Sequence, residues 1–317
     1  MTAGPADPRA ARPRVVFGTS LSTALKATAE RLRHAEQADR GGLDLVTLSD
    51  HPYHADRIDA YAAVGVLLGR TSRVAAGVSV TNLPTRSAPM LARTLTSLSA
   101  LSGGRIVLGI GAGGLWDEIV KFGVRRLSPA AAVRALEEAI LLIRALSGGG
   151  GPVDFDGEFY QVEGLVPAPV PTPPIWTGSL GTKSLAVTGR VADGWIPGLG
   201  VVPGHPADWR SARVAWSRPV IDEAAVAAGR RPADIATIYN VTGRITDTPL
   251  AVTRDENGRW LGGSVNQWVD ELVTAVLDHG AAGFVHHRVD DPTPADLTIG
   301  RWTHEVVPKI RAAIERG

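Results

Sequence analysis

Residues 74–113 read VAAGVSVTNLPTRSAPMLARTLTSLSALSGGRIVLGIGAG, and this stretch indicates the fold. A short apolar run at 74–80 is followed by residues 89–101, which have helical spacing and end at a Gly-Gly pair. A second apolar run at 106–110 comes next. A strand, a helix and a strand in this order are typical of a βαβ unit, in which the two strands are parallel.

The same alternation continues in both directions along the chain. The predicted strands are residues 15–18, 43–48, 74–80, 106–110, 175–178, 194–196, 235–245 and 283–289. The predicted helices are residues 24–40, 57–68, 89–101, 129–146, 183–191, 208–228, 267–279 and 304–315. Eight such units favour an α/β fold of the (β/α)8 TIM-barrel type.

Two further segments interrupt the alternation. Residues 155–162 (FDGEFYQV) alternate like a small hairpin, and residues 166–174 contain five prolines and should be extended. They form an insertion before the fifth strand. Residues 246–263 are polar and predict a loop.

An open, doubly wound sheet is the alternative fold. It would require a glycine-rich fingerprint directly after the first strand. Gly18-Thr-Ser-Leu does not supply one, and Gly109-Ile-Gly-Ala-Gly follows the fourth strand with the wrong spacing. The closed barrel is therefore the better prediction.

Composition excludes several classes of function. The chain has 317 residues, a formal net charge of +1 and no long block of one charge, so we expect neither nucleic acid nor membrane as a partner. The absence of cysteine excludes disulfides and thiol catalysis, and is compatible with the cytoplasmic location that we predict. Residues 1–14, with three prolines and three arginines, should be a loose leader before a single domain at 15–317.

In a barrel of this type, the active site lies at the C-terminal ends of the strands. Asp50 and His51 follow the second predicted strand. A carboxylate can accept hydrogen bonds from a coenzyme, and histidine titrates near neutral pH and can move a proton. A polar strand end with a helix cap is the alternative interpretation.

A second candidate site follows the fifth predicted strand, at Gly178-Ser-Leu-Gly-Thr182. The free N–H groups at a helix start, together with the hydroxyls of Ser179 and Thr182, would form a phosphate cradle. An ordinary helix cap is the alternative. The eight histidines have no metal-ligand spacing, and His286 and His287 should point to opposite faces of a strand. We therefore expect no metal.

Four motifs resemble the bacterial luciferase-like superfamily. They are residues 35–51 (AEQADRGGLDLVTLSDH), 71–80 (TSRVAAGVSV), 98–113 (LSALSGGRIVLGIGAG) and 189–195 (GRVADGW). The superfamily contains FMN-dependent two-component monooxygenases and enzymes that use the deazaflavin coenzyme F420. The Ser-Asp-His run and the Ser-Val pair of the third strand are most similar to the deazaflavin branch.

The resemblance implies roles for individual residues. Ser79–Val80 would be a cis peptide that supports the coenzyme ring, Asp50 would bond the ring, and His51 would be the proton donor. The resemblance also implies that the coenzyme is lined by Asn82, Ala112, Gly113 and Asp117. Leu180 and Gly181 would offer backbone to its phosphate, within the predicted cradle Gly178, Ser179, Leu180, Gly181 and Thr182.

Two features separate the chain from parts of the family. Gly114 stands where the sugar-phosphate dehydrogenases of this branch have a glutamate acid/base, so the resemblance argues against that substrate. Ser179 and Thr182 resemble the phosphate-binding pair of luciferase itself, so FMN stays open as the coenzyme.

Three functional hypotheses follow. The first is an F420-dependent oxidoreductase acting on a small organic substrate, and the second is an FMN-dependent monooxygenase. The third is a non-catalytic flavin-binding protein. The intact Asp50-His51 pair favours an enzyme over this third hypothesis. We expect a homodimer, and a flavin or deazaflavin reductase as the partner that would supply reduced coenzyme.

Overall fold

Eight parallel strands close into a barrel in the computed structural model, which describes residues 14–198, 208–289 and 293–316. The barrel strands are β1 Val16–Ser20, β2 Leu45–Leu48, β3 Ala75–Asn82, β4 Ile106–Gly111, β7 Ile175–Thr177, β8 Gly194–Trp195, β9 Ala236–Thr242 and β12 Gly283–His287. Their order around the barrel is β1-β12-β9-β8-β7-β4-β3-β2, and β2 pairs back onto β1. The predicted TIM barrel is confirmed.

Helices surround the barrel, and several begin at the caps that the sequence provides. The Asp59 carboxylate accepts the Ala62 N–H at 2.8 Å, and the hydroxyls of Ser128 and Ser264 cap two further helices. The helices are α1 Thr28–Arg40, α2 Ala60–Arg70, α3 Ala88–Ser102, α4 Trp116–Ile119, α5 Pro129–Ala145, α6 Thr182–Val191, α7 Ala212–Ala227, α8 Val265–Leu277, α9 Ala295–Arg301 and α10 Val307–Ile314.

The insertion before β7 is the predicted hairpin, with β5 Val153–Asp156 antiparallel to β6 Gln161–Leu165. The predicted strand at 235–245 is wrong in its last part. Gly243 has φ +147°, a conformation that favours glycine, and there the chain leaves the barrel. It continues as β10 Arg244–Thr246, which pairs with β11 Gly262–Ser264.

The end of the chain also differs from the prediction. A helix was expected at 304–315, but helical structure begins at α9 and passes through a π-helical turn, Trp302–Val306, before α10. The expected leader at 1–14 lies outside the described residues, apart from Arg14. Among the described helices, none is long and apolar enough to cross a membrane.

The barrel has an inner and an outer apolar layer. Leu45, Trp176, Ile196, Ile238 and Val285 fill the interior, whereas the larger cluster packs the strands against the helices. Polar side chains fasten the N-terminal ends of the strands. The Asp39 carboxylate, at the end of α1, accepts the N–H groups of residues 72–74 at 2.7–3.1 Å.

Candidate active site

Asp50 lies buried at the end of β2, and its carboxylate is already engaged. It accepts the Asn82 N–H at 3.0 Å and two N–H groups of Arg86, at 3.0 and 3.2 Å. Arg86 also pairs with Asp59 at 2.7 Å and lies over the Tyr61 ring. Asp50 therefore holds the segment after β3, and a direct bond from Asp50 to a coenzyme ring stays a prediction.

His51 is the exposed neighbour of Asp50 on the rim. Its Nδ1 lies 2.6 Å from the Tyr53 hydroxyl, and the His54 ring is close to both. Partial burial, and then the charge of His54, lower the pKa of His51 from 6.5. The neutral imidazole therefore predominates at pH 7 and can accept a proton.

Val80, Gly111 and Gly178 lie together near the ends of β3, β4 and β7 and form the Val80 surface. The Ser79–Val80 peptide bond is cis, as the resemblance implies, and the pairing of β3 with β4 shifts register there. A Cβ added at Gly111 would lie 3.0 Å from a Val80 methyl, and one at Gly178 would lie 3.2 Å from both methyls. The two glycines thus leave room for the Val80 side chain.

The predicted phosphate cradle lies at the N-terminus of α6, as expected. The Ser184 hydroxyl accepts a hydrogen bond from the Gly181 N–H at 3.2 Å. The N–H groups that follow Gly181 in the first turn of α6 remain available to a ligand. Arg213 of α7, which the sequence reasoning missed, donates to the Leu180 carbonyl. Thr182 and Lys183 are exposed beside it. The site thus offers N–H groups, a hydroxyl and cations.

The segment after β4 agrees only in part with the expectation. Ala112 and Gly113 lie partly exposed at the rim, and Gly113 has φ +91°. Asp117 points into solvent with a side chain 92% exposed and pairs with Arg126. A coenzyme contact from Asp117 would therefore compete with that ion pair, and it stays a prediction.

Unpartnered polar atoms show where a ligand would fit. Within the described part of the chain, three of the buried atoms that lack a hydrogen-bond partner are Thr47 Oγ1, Asn82 Oδ1 and Ser179 Oγ. All three belong to residues at the C-terminal ends of β2, β3 and β7. Buried polar groups normally have partners, so these atoms suit a polar ligand that lies across this half of the rim.

The other half of the rim, at the ends of β8, β9, β12 and β1, contains a pair of polar residues that the sequence did not connect. His287 Nε2 lies 2.9 Å from Asn240 Oδ1. His286 faces the other way, as expected from strand alternation, and stacks on Trp302 at 5.1 Å. The two histidines therefore lie in different environments.

Both histidines make stability depend on pH. Burial lowers the pKa of His286 to about 4 and, with the charge of His286, that of His287 to about 3. The unfolded chain binds protons below its pKa of about 6.5, while the folded chain does not. We therefore expect the free energy of unfolding to fall as the pH drops from 6.5 towards 4.

Urea unfolding at pH 7.0, 5.5 and 4.5 would measure this dependence. In His286→Gln, the free energy of unfolding should fall less steeply with decreasing pH than in the wild-type protein. The variant is expected to be less stable than the wild-type protein at pH 7. Equal slopes in both proteins would contradict the assignment of His286 as a neutral, buried group.

The fold and the rim together define a class: a closed TIM barrel with unpartnered polar atoms at the C-terminal ends of its strands. The family model described as luciferase-like monooxygenase matches residues 13–291, and the chain belongs to this family.

Known relatives share most of the chain. An F420-dependent glucose-6-phosphate dehydrogenase of Nakamurella multipartita is 30% identical, over 96% of this chain and 89% of the relative. An F420-dependent hydroxymycolic acid dehydrogenase of Mycobacterium tuberculosis is 27% identical, over 93% and 88%. Among solved structures, an F420-dependent secondary alcohol dehydrogenase in complex with an F420–acetone adduct has a TM-score of 0.76 at 18% identity, covering 94% of this chain and 99% of its own.

Proposed function

We propose that this protein is an F420-dependent oxidoreductase that transfers hydride between the deazaflavin and a small organic substrate, an alcohol or the corresponding carbonyl compound. The main support is the placement of His51, Asn82 Oδ1 and Ser179 Oγ on one half of the barrel rim. The similarity to F420-dependent relatives along nearly the whole chain agrees with it.

The residues present suit the coenzyme. The Val80 surface would lie against the coenzyme ring, Asn82 would hydrogen-bond it, and the start of α6 with Arg213 would bind its phosphate. When bound, the deazaflavin supplies the ring carbon that takes or releases a hydride. The protein positions the ring and handles the proton.

His51 is the proton-transfer group in this proposal. As an alcohol is oxidised, its carbon loses a hydride, its hydroxyl proton passes to neutral His51, and a carbonyl group forms. In the reverse direction, protonated His51 returns that proton, which is the donor role implied by the resemblance. The Tyr53 hydroxyl, 2.6 Å from Nδ1, fixes the ring for either direction.

An FMN-dependent monooxygenase is the second candidate. The hydroxyls of Ser179 and Thr182 favour it, because they match the phosphate-binding pair of luciferase itself. The two candidates differ in the isoalloxazine or deazaflavin ring that the rim accepts, so binding measurements separate them.

The surface beside Val80 gives a direct test of where the coenzyme lies. We expect Gly178→Leu to lower F420 affinity, because the new side chain must displace Val80 towards the ring. Overpacking of this kind costs about 1–3 kcal/mol, which corresponds to roughly a 5- to 150-fold higher Kd. Fluorescence titration with F420 measures the Kd.

Gly69→Leu is the control for that substitution, since a Cβ at Gly69 meets nothing within 4 Å on the exposed side of α2. It should leave the Kd unchanged. Equal F420 affinity in a folded Gly178→Leu protein would mean that the coenzyme does not lie over Val80.

Three further predictions belong to the proposal. The protein is a homodimer, it works in the cytoplasm, and a separate reductase renews the reduced coenzyme if the substrate consumes it. Sedimentation equilibrium on purified protein tests the first of these, and a monomer at micromolar concentration would contradict it.

A further inference from the structure

The second half of the rim contains polar groups that the proposed function does not yet use. Asn240 and Val285 line an interior cavity together with Ser79 and Thr47, so these positions of β9 and β12 face the barrel interior. His287, two residues after Val285, is the next inward position, at the rim itself. We therefore expect its side chain to face the mouth of the barrel at the end of β12.

Asn240 determines which nitrogen of His287 carries the proton. Because a carboxamide oxygen can only accept, the contact at 2.9 Å requires His287 Nε2–H to donate to Asn240 Oδ1. A neutral imidazole carries one proton, so Nδ1 keeps a lone pair. None of the described residues donates a hydrogen bond to that atom.

A polar cavity of about 230 Å³ adjoins His287. It lies between the ends of β1 and β12 and the helices α1 and α9. Among the described residues of its wall, four carry hydroxyl groups, Glu30 supplies a carboxylate and Arg288 supplies a guanidinium. The His34 ring also lines the cavity, and it already lies 2.7 Å from Asp296 and 3.8 Å from Glu30. The wall residues with hydroxyls are Thr19, Ser20, Ser22 and Thr298.

This balance of charge bears on the substrate. A phosphate dianion would need several cations, and here it would meet the Glu30 carboxylate as well as Arg288. A neutral molecule with several hydroxyl groups would instead exchange hydrogen bonds with the wall.

We propose that His287, oriented by Asn240, accepts a hydrogen bond from a substrate hydroxyl through Nδ1, and that the substrate is a neutral molecule with several hydroxyl groups, not a sugar phosphate. This inference rests on the proposed function for the reaction itself. His287 binds the substrate, Asn240 is a positioning residue, and His51 remains the proton acceptor.

The tautomer of His287 can be tested without coenzyme or substrate. Long-range ¹H–¹⁵N NMR on ¹⁵N-histidine-labelled protein should show His287 neutral, with the proton on Nε2, between pH 6 and pH 8. Asn240→Leu removes the acceptor and should shift that tautomer equilibrium. A His287 protonated on Nδ1 in the wild-type protein would overturn the proposal.

The substrate class is tested with matched pairs of probes: glycerol with glycerol 3-phosphate, and glucose with glucose 6-phosphate. The neutral member of at least one pair should move the Nδ1 resonance and reduce F420, and the phosphorylated member should do neither. In His287→Phe we expect KM for the neutral substrate to rise roughly 2- to 12-fold, the value of one hydrogen bond, with little change in kcat. The exposed His279→Gln is the control.

The outcomes separate this inference from the proposed function. If a phosphorylated probe reduces F420 best, or if His287→Phe behaves like His279→Gln, the inference is wrong while the F420 assignment stands. If neutral probes move the Nδ1 resonance without any reduction of bound F420, the assignment of the coenzyme reaction is wrong instead. If no neutral probe moves the resonance, the substrate class is wrong.

Discussion

Replacing His51 with alanine is expected to slow single-turnover hydride transfer by roughly 10²–10⁴-fold, the usual contribution of one positioned proton-transfer group. Coenzyme affinity should change little, because His51 is exposed at the rim and supports no other element of the barrel. In the wild-type protein, the rate of alcohol oxidation should fall as the pH drops below the pKa of His51, which lies under 6.5. Protonated His51 cannot accept the hydroxyl proton.

Three measurements on His51→Ala distinguish this role from a structural one: the melting temperature, the F420 affinity and the single-turnover rate from pH 5 to pH 9. A structural role predicts a lower melting temperature with a normal rate per folded molecule. His304→Ala, another exposed histidine, is the control and should leave all three unchanged. If His51→Ala has the wild-type rate across the whole pH range, His51 does not transfer the proton and only lines the pocket.

Replacing Arg86 with methionine is expected to lower the free energy of unfolding by about 3–5 kcal/mol, because it leaves a buried charge without its partner. The Asp50 side chain is only 1% exposed, and Arg86 supplies two of its three hydrogen bonds. The loss should also loosen Asn82, whose N–H the same carboxylate accepts. F420 affinity should fall together with stability.

Arg70→Met is the matched control, since Arg70 pairs with Glu36 at 2.7 Å on the surface of α2 and α1. Exposed pairs contribute about 0–1 kcal/mol. The double variant Asp50→Asn/Arg86→Met should be more stable than Arg86→Met alone, because no unpaired carboxylate remains. Urea unfolding measures all four proteins. A cost for Arg86→Met no greater than that for Arg70→Met would contradict the description of the Asp50 site.

Hydrophobic periodicity predicted the barrel well because each strand is a short apolar run and most helices end at glycine or a turn. It failed where the period changes. The π-helical turn at Trp302–Val306 breaks the 3.6-residue spacing, so the helical segment was predicted to start nine residues too late, at 304 instead of 295. The positive φ of Gly243 separates β9 from β10, and the pattern of apolar residues gives no information on a backbone angle.

The site was predictable to the extent that it follows strand ends. Asp50, His51, Asn82 and the start of α6 lie on the rim because parallel strands all end there. Partners across the barrel were not predictable. Arg86 is 36 residues from Asp50 and His287 is 47 from Asn240, and no local pattern connects either pair.

The coenzyme contact of Asp117 stays a prediction made by resemblance. Asp117 stands at the expected position in the chain, but the short helix α4 directs its carboxylate to solvent and to Arg126. The direction of a side chain in such a loop depends on a helix of four residues, which is too short for periodicity to reveal.

Equilibrium titration of the purified protein with F420 and, in parallel, with FMN tests the central claim most directly. The Val80 surface, Asn82 and the α6 phosphate site should bind the deazaflavin at least about tenfold more tightly than FMN, a difference of about 1.4 kcal/mol. Tighter binding of FMN would contradict the assignment and favour the monooxygenase, and binding of neither would contradict the coenzyme site itself.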